Sequence, residues 1–237
     1  MVTLFQDIFY RPILNLLIFL YDIIPGHDLG IAIIILTIVI KAVLHPLSIK
    51  SMRSQRALQE LQPKINELKV QYKDDKQALS KATMEFYKEN KINPFSSCLP
   101  LLIQLPFLLA VYRVFRDGLA NRLNLVYSFV YKPETINTFS LGFLNLSKPN
   151  IALAVLAGAA QFWQAKTMLA KTPKKAVVAG ATQEPDMAAM MNKQMLYLMP
   201  ALTVFIGISL PGGLTLYWFV LTLLTALQQW LMFRKKK

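Results

Sequence analysis

Long apolar stretches alternate along this chain with shorter polar segments. Residues 31–40 carry no charge and include a single polar side chain, Thr37, yet Lys41 follows before the apolar stretch ends. A helix needs about 20 mostly apolar residues to cross a hydrocarbon core about 30 Å thick. The pattern predicts an all-α polytopic membrane protein with five transmembrane helices, over residues 29–50, 96–116, 150–170, 193–210 and 211–233.

The polar segment 51–95 has the apolar spacing of a paired helix. Its apolar side chains recur at intervals of three and four, as in the seam of a two-helix coiled coil, and the sequence YKDDKQ separates them into two stripes. We predict a cytoplasmic helical hairpin, with a charged linker as the alternative. The predicted contact positions are Leu58, Leu61, Ile65, Leu68, Leu79 and Phe86.

Residues 1–28 are apolar but are interrupted by polar side chains. Asp7, Arg11 and Asn15 follow one another at intervals of four, so they share one face of a helix. This pattern favours an amphipathic helix in the outer membrane interface over a further span or a signal peptide. The other predicted segments are an extracytoplasmic loop (117–149), a cytoplasmic loop (171–192) and a basic cytoplasmic tail (234–237).

Composition supports the membrane class and indicates an orientation. The chain is 54% hydrophobic and only 16% charged, whereas soluble domains carry about 25% charged residues. Its net charge is +13, and most Lys and Arg residues fall in segments 50–95 and 166–193 and in the tail. The positive-inside rule therefore places the N-terminus outside and the C-terminus in the cytoplasm.

The same composition gives no indication of an enzyme or of a cofactor. One cysteine excludes a disulfide within the chain, and two histidines without a neighbouring cysteine do not predict a metal site. The sequence has no Gly-rich phosphate loop and no GxSxG or HExxH string. We therefore predict neither a catalytic residue nor a bound cofactor.

Polar side chains recur inside the predicted transmembrane helices. Thr37 precedes Lys41 by one turn, Gln104 lies in the second span, Gln161 in the third, and the last carries a stripe of Thr215, Trp218, Thr222, Thr225 and Gln229. One interpretation is that Pro46 ends the first helix early, so that Lys41 reaches the membrane surface, and that the threonines bond neighbouring helices. The other is that these faces line a hydrated cavity. Because the other four spans contain no Asp or Glu, a cation in such a cavity would attract acidic groups from outside the protein.

Three strings give the chain a family resemblance. They are LTIVIKAVLHPL in the first span, INPFSSCLPLLIQLPFLLAVY at the second, and PGGLTLYWFV followed by QQW in the last. These strings resemble the YidC-type membrane protein insertases. The resemblance implies five helices around a hydrophilic groove that opens to the cytoplasm and to lipid.

The resemblance also implies roles for individual residues. It makes Lys41 the groove cation, places Thr37, Gln104 and Trp218 beside it, and makes Tyr217 a client contact. Most family members have arginine at the position of Lys41, and lysine lacks the bidentate fork of a guanidinium group. Together with the polar faces, the predicted client-binding set is Lys41, Thr37, Gln104, Trp218, Tyr217, Thr215, Thr222 and Gln161.

The function implied by the resemblance is insertion and folding of membrane proteins in the bacterial plasma membrane. The implied partners are nascent membrane-protein clients, with a ribosome and a Sec-type translocon as possible partners and no DNA. The strings KTPKK and RKKK suit anionic lipids. A small-molecule permease and an assembly chaperone without translocation are the alternatives.

Overall fold

The computed structural model describes residues 2–73, 75–90, 93, 99–117, 124–169 and 193–234. The predicted cytoplasmic loop 171–192, Cys98 of the second-span string, and the last three lysines lie outside these residues. Most of the described residues are helical, which agrees with the predicted helical class.

The N-terminal segment is helical from Val2 to Ile23, as α1 (Val2–Phe5), a π-helical turn (Gln6–Tyr10) and α2 (Arg11–Ile23). Its polar face contacts the loop rather than only solvent. Asn15 is buried and its Oδ1 accepts a 2.7 Å hydrogen bond from the N–H of Tyr127. Arg11 Nε donates to the carbonyl of Leu125 at 3.2 Å. Position in the outer interface stays a prediction.

The first predicted span is bent. Helix α3 (Leu29–Val43) and helix α4 (His45–Gln71) meet at Leu44 with an angle of 66° between them. Pro46 lies in the first turn of α4, where its missing N–H breaks no hydrogen bond of α4 but cannot continue the ladder of α3. The helix predicted over 29–50 therefore turns away six residues before its predicted end.

Two helices that contact each other occupy the segment predicted as a hairpin. Helix α4 packs against α5 (Lys76–Glu89), and a short turn joins them. Asp75 caps α5 by accepting hydrogen bonds from the N–H groups of Gln77 and Ala78, both at 2.9 Å. Ile65 is buried, whereas the other predicted contact positions are partly buried: Leu58, Leu61, Leu68, Leu79 and Phe86. The cytoplasmic location stays a prediction.

Helix α6 (Leu99–Arg116) precedes the segment predicted as an extracytoplasmic loop. That segment contains a small antiparallel pair, β1 (Phe139–Ser140) and β2 (Leu144–Asn145), in which Ser140 is opposite Leu144. The sequence analysis missed it, because two-residue strands are too short to show an alternating pattern.

The C-terminal half is a compact group of helices. Helix α7 (Ile151–Leu169) packs against α8 (Met199–Gly207) and α9 (Gly212–Arg234), and a π-helical turn (Gln194–Leu198) precedes α8. A Cβ atom at Gly158 would overlap Val204, so this glycine lets α7 and α8 approach closely.

Among the described residues, one helix by itself is long and apolar enough to cross a membrane. Helix α9 is long and apolar enough to cross a membrane alone, and α3 with α4 meets the same criterion only as the bent pair. The predicted number of five spans stays a prediction.

The core joins the N-terminal helix to the central helices. Helix α2 packs on α3, and α3 packs on α9. The largest fully buried side chains of this core include Leu14, Leu17, Ile33, Leu36 and Tyr217. Helix α9 thus has α3 and α7 beside it, which brings its polar stripe next to Lys41.

Candidate functional site: polar contacts of helix α9

Lys41 lies in the last turn of α3 and reaches across to α9. Its Nζ atom donates a 2.8 Å hydrogen bond to Oγ1 of Thr225. The Thr225 hydroxyl in turn donates to the carbonyl of Leu221 at 2.7 Å, so its direction is fixed by its own helix. The helix does end early, at Val43, but the Lys41 side chain is partly buried against a neighbouring helix.

The partner of this cation is uncharged. Among the described residues the ion pairs are Arg56–Glu60, at 2.8 Å, and Arg116–Asp117, at 3.4 Å, and neither includes Lys41. An ammonium group has three N–H donors, and Thr225 accepts from one of them. The group therefore keeps its positive charge unneutralised by a carboxylate of the described chain, and it retains donors for an acidic ligand.

A second polar contact lies close to the bend between α3 and α4. Gln228 Nε2 is 3.2 Å from Nδ1 of His45, the first residue of α4. Gln228 follows Thr225 by about one turn of α9, and His45 follows Lys41 by four residues, across the bend. The two contacts therefore follow one another along α9. The sequence analysis missed this pair because Gln228 lies beside the 3-4 stripe rather than on it.

Two glutamine side-chain oxygens on α9 are buried without a hydrogen-bond partner among the described residues. They are Oε1 of Gln228 and Oε1 of Gln229. A buried acceptor without a partner costs about 1–3 kcal/mol. Water or a polar ligand would gain a hydrogen bond at each of these atoms, and Gln228 lies beside the bend through its contact with His45.

Gln104 and Tyr217 join α6 to α9. Gln104 Nε2 donates a 2.6 Å hydrogen bond to the Tyr217 hydroxyl oxygen. Tyr217 is fully buried, and Gln104 is partly buried. Both residues belong to the predicted client-binding set, and the structure places them in direct contact.

The threonines of the predicted set are buried, and Thr37 and Thr215 bond to backbone carbonyls. Thr37 Oγ1 donates to the carbonyl of Ile33 at 2.6 Å, within its own helix. Thr215 Oγ1 is 3.3 Å from the carbonyl of Gly207 on α8, a contact between helices. Thr222 is also buried, while Trp218 and Gln161 are partly buried, the latter on α7.

The polar contacts between the helices meet on α9. Three helices, α3, α4 and α6, each contribute one polar partner to it: Lys41, His45 and Gln104. A cation without a carboxylate, followed along α9 by buried amide oxygens, can bind an acidic or polar group by charge and hydrogen bonding.

Helix α9 is long and apolar enough to cross a membrane, and polar side chains join it to neighbouring helices, a combination that is typical of integral membrane proteins. The model of the 60Kd inner membrane protein family matches residues 19–237, so the chain belongs to that family. Relatives and a solved structure that are described as YidC insertases confirm the resemblance to the YidC-type insertases.

Curated relatives and a solved structure agree with this assignment. The chain is 36% identical over 205 residues to the "Membrane protein insertase YidC" of Francisella tularensis subsp. novicida (strain U112), and the same values hold for the protein of subsp. holarctica (strain LVS). The match covers 86% of this chain and 32% of each relative. The chain thus spans about a third of the length of these curated relatives.

A solved structure shares the fold. It is the "Active YidC insertase crystal structure with the first transmembrane domain resolved", with a TM-score of 0.60 and 25% sequence identity. The match covers 94% of this chain and 46% of that one. The fold similarity therefore includes nearly the whole chain.

Proposed function

We propose that this chain inserts and folds membrane proteins, with Lys41 receiving the short polar or acidic tail of a client. The observation that carries the proposal is the hydrogen bond between Lys41 and the uncharged Thr225, since it leaves the ammonium charge available to a client carboxylate. Membership of the 60Kd inner membrane protein family supports the activity, because relatives of this chain are membrane protein insertases.

The mechanism is differential solvation. A polar tail that crosses hydrocarbon loses hydrogen bonds to water, at a cost of several kcal/mol for each unsatisfied group. A hydrated groove between α3, α6 and α9 would shorten the dry part of that path. Lys41 would give an acidic tail a favourable intermediate position, and the amide oxygens of Gln228 and Gln229 would bind its N–H groups.

The driving force comes from the client itself. Its apolar segment leaves water for lipid, and this transfer is favourable in proportion to the apolar area that is buried. The proposed topology has five spans, an external N-terminus and a cytoplasmic C-terminus, so the hairpin of α4 and α5 would face the cytoplasm where nascent chains emerge. Ribosome, Sec-type translocon and anionic lipids belong to the same proposal as partners.

The test uses purified protein in sealed liposomes and a single-span client with a short acidic N-terminal tail. Protection of the tail from external protease is compared for wild type, Lys41→Arg and Lys41→Leu. We expect protection with wild type and with Lys41→Arg, and loss with Lys41→Leu, because only the first two variants keep the charge.

The matched control is Lys50→Leu, which removes an exposed lysine nine residues away on α4. It should leave tail protection unchanged. Equal protection by Lys41→Leu and wild type would contradict a role for the charge. If wild type protects no more tail than empty liposomes, the chain does not insert clients by itself.

A further inference from the structure

The strand pair β1–β2 presents an unusual group of exposed apolar side chains. Phe139, Leu141 and Phe143 alternate with Ser140 and Gly142 in the string FSLGF, and their exposed fractions are 45%, 67% and 76%. Ser140 points the other way and is buried. We call Phe139, Leu141 and Phe143 the hairpin tip.

The backbone of the tip gives a second observation. Leu141 has φ +52° and Gly142 has φ +80°, so the two central residues of this turn are both in the left-handed region. Such hairpin turns favour Asn, Asp or Gly, and a leucine there is strained by its side chain. The turn therefore keeps a bulky apolar residue at a position where a small polar one would fold more easily.

The tip is hydrogen-bonded to the start of α3. The Asp28 carboxylate, which caps α3 by accepting from the N–H of Ile31 at 3.0 Å, also accepts from the Ser140 hydroxyl at 2.7 Å and from the Leu141 N–H at 2.6 Å. A Cβ atom at Gly30 would overlap Ser140, so the first turn of α3 needs a glycine for this contact.

The other side of the pair is attached to the start of α9. The N–H of Gly213 donates to the carbonyl of Leu146 at 2.8 Å, and the N–H of Gly212 donates to that of Lys148 at 2.9 Å. The tip thus lies at the level where α3 and α9 begin. That level is the membrane interface if these helices cross the membrane.

We infer that the hairpin tip inserts into the phospholipid interface and anchors this end of the helix group to the bilayer. Three features favour lipid over a protein partner. Helix α7 begins eight residues after Phe143 and also exposes apolar side chains in its first turns, since Ile151 and Val155 are 71% and 51% exposed. The exposed Lys148 follows five residues after Phe143, where a cation can contact a phosphate headgroup. Aromatic side chains are also enriched at this depth.

The inference rests on the proposed function in one respect only, namely which side of the membrane the tip faces, because the orientation of the chain belongs to that proposal. Insertion of the tip into lipid requires the membrane location of the family but not the insertase activity. A measurement of depth in liposomes without a client therefore separates the two proposals.

The test is site-directed spin labelling in proteoliposomes of phosphatidylcholine and phosphatidylglycerol. Cys98, the single cysteine, is replaced by serine, and a nitroxide is attached at Phe143→Cys and, separately, at Leu141→Cys. Collision with oxygen, which concentrates in lipid, is compared with collision with a water-soluble nickel chelate. Matched labels at Val155→Cys on α7 and at Lys81→Cys on α5 give the lipid-facing and water-facing references, since both residues are exposed.

We expect both tip labels to have an oxygen-to-nickel collision ratio several-fold above that of Lys81→Cys and near that of Val155→Cys. A ratio equal to that of Lys81→Cys would show that the tip lies in water and would overturn the inference. Low collision with both reagents would show that protein covers the tip, which in this preparation is a second copy of the chain. That outcome would also overturn the lipid assignment.

Discussion

Lys41 and Thr225 are 184 residues apart in sequence, and their side chains meet at 2.8 Å. The contact joins the end of α3 to α9, next to the bend between α3 and α4. Because the threonine is neutral, it directs the ammonium group without neutralising it. This geometry leads to the first prediction.

Replacing Thr225 by valine should reduce insertion of a client with an acidic tail about fivefold. A typical intramolecular hydrogen bond contributes about 1 kcal/mol, and the loss of that free energy corresponds to about this factor. Thr225→Ser keeps the hydroxyl and should retain activity. The measurement is tail protection in proteoliposomes, as for the Lys41 variants.

Thr203→Val is the matched control for this prediction. Thr203 is buried, and its hydroxyl donates to the carbonyl of Met199 in its own helix at 3.0 Å. Its substitution should leave insertion unchanged. An equal loss for both valine variants would attribute the effect to general destabilisation.

The contact between Gln104 and Tyr217 should contribute measurably to stability. Hydrogen bonds between helices in membrane proteins average about 0.6 kcal/mol and reach about 1.7 kcal/mol. Tyr217→Phe should lower the free energy of unfolding by about 1 kcal/mol, because it leaves the Gln104 amide without its partner. The measurement is a detergent-unfolding titration followed by circular dichroism.

A double-mutant cycle tests whether the loss comes from this contact. Once Gln104→Leu has removed the donor, Tyr217→Phe should cost much less than it does alone. Tyr131→Phe, at a residue that is 65% exposed, is the control and should have little effect. Simple additivity of the Gln104 and Tyr217 variants would contradict an energetic link between them.

Stability should depend on pH through Asp28. Burial alone would raise the pKa of its carboxyl, but hydrogen bonds from Leu141, Ser140 and Ile31 outweigh burial and lower the pKa. An aspartate whose pKa is lower in the folded state stabilises the protein above its unfolded pKa of about 3.9, and that stabilisation is lost as the pH falls through the folded value.

Asp28→Asn should therefore lower the thermal unfolding temperature at neutral pH and flatten its fall between pH about 5 and 2. An asparagine has only one side-chain oxygen, so it cannot accept all three of these hydrogen bonds in the same way. Glu134→Gln, at an exposed carboxylate, is the control. If the unfolding temperature of Asp28→Asn depends on pH as that of wild type does, the hydrogen bonds to Ser140 and Leu141 do not depend on the charge of Asp28.

Helix α8 ends against α7 with no space for a side chain at Gly207. A Cβ atom there would lie 2.9 Å from Cβ and 3.2 Å from Cα of Ala154. Gly207→Ala should lower the free energy of unfolding by about 1–3 kcal/mol, as overpacking does in close-packed interiors.

Adding Ala154→Gly to Gly207→Ala removes one of the two clashing methyl groups and should restore part of the loss. The same unfolding titration measures it, with Ala154→Gly alone as the reference. If the double variant is as unstable as the sum of the two single variants, close packing of these two residues is not the cause.

The sequence predicts the helices of this protein better than it predicts their bends and contacts. The helices of α3, α6, α7 and α9 follow from apolar runs of the right length, and the pairing of α4 with α5 follows from the 3-4 spacing and the break between them. The bend at Leu44 did not follow, because Pro46 is compatible with several geometries at the start of a helix.

The candidate site divides in the same way. Lys41, Gln104 and Tyr217 are recognisable from the polar pattern and from the family strings. Thr215 shows the limit of that method. Its hydroxyl contacts the Gly207 carbonyl of a neighbouring helix, and a polar residue in an apolar helix has the same sequence pattern whether it bonds a helix or faces water.

The sequence by itself determined the helical membrane class, the family, and the presence of a cation in an apolar segment without an acidic residue in the other predicted spans. These properties depend on composition and on spacing within one segment. Only the tertiary structure decided that Lys41 meets Thr225, that Gln104 meets Tyr217, and that Asp28 holds Ser140 and Leu141. The residues of each pair lie more than 100 positions apart, so their contact depends on how the helices rotate and cross, which local periodicity does not specify.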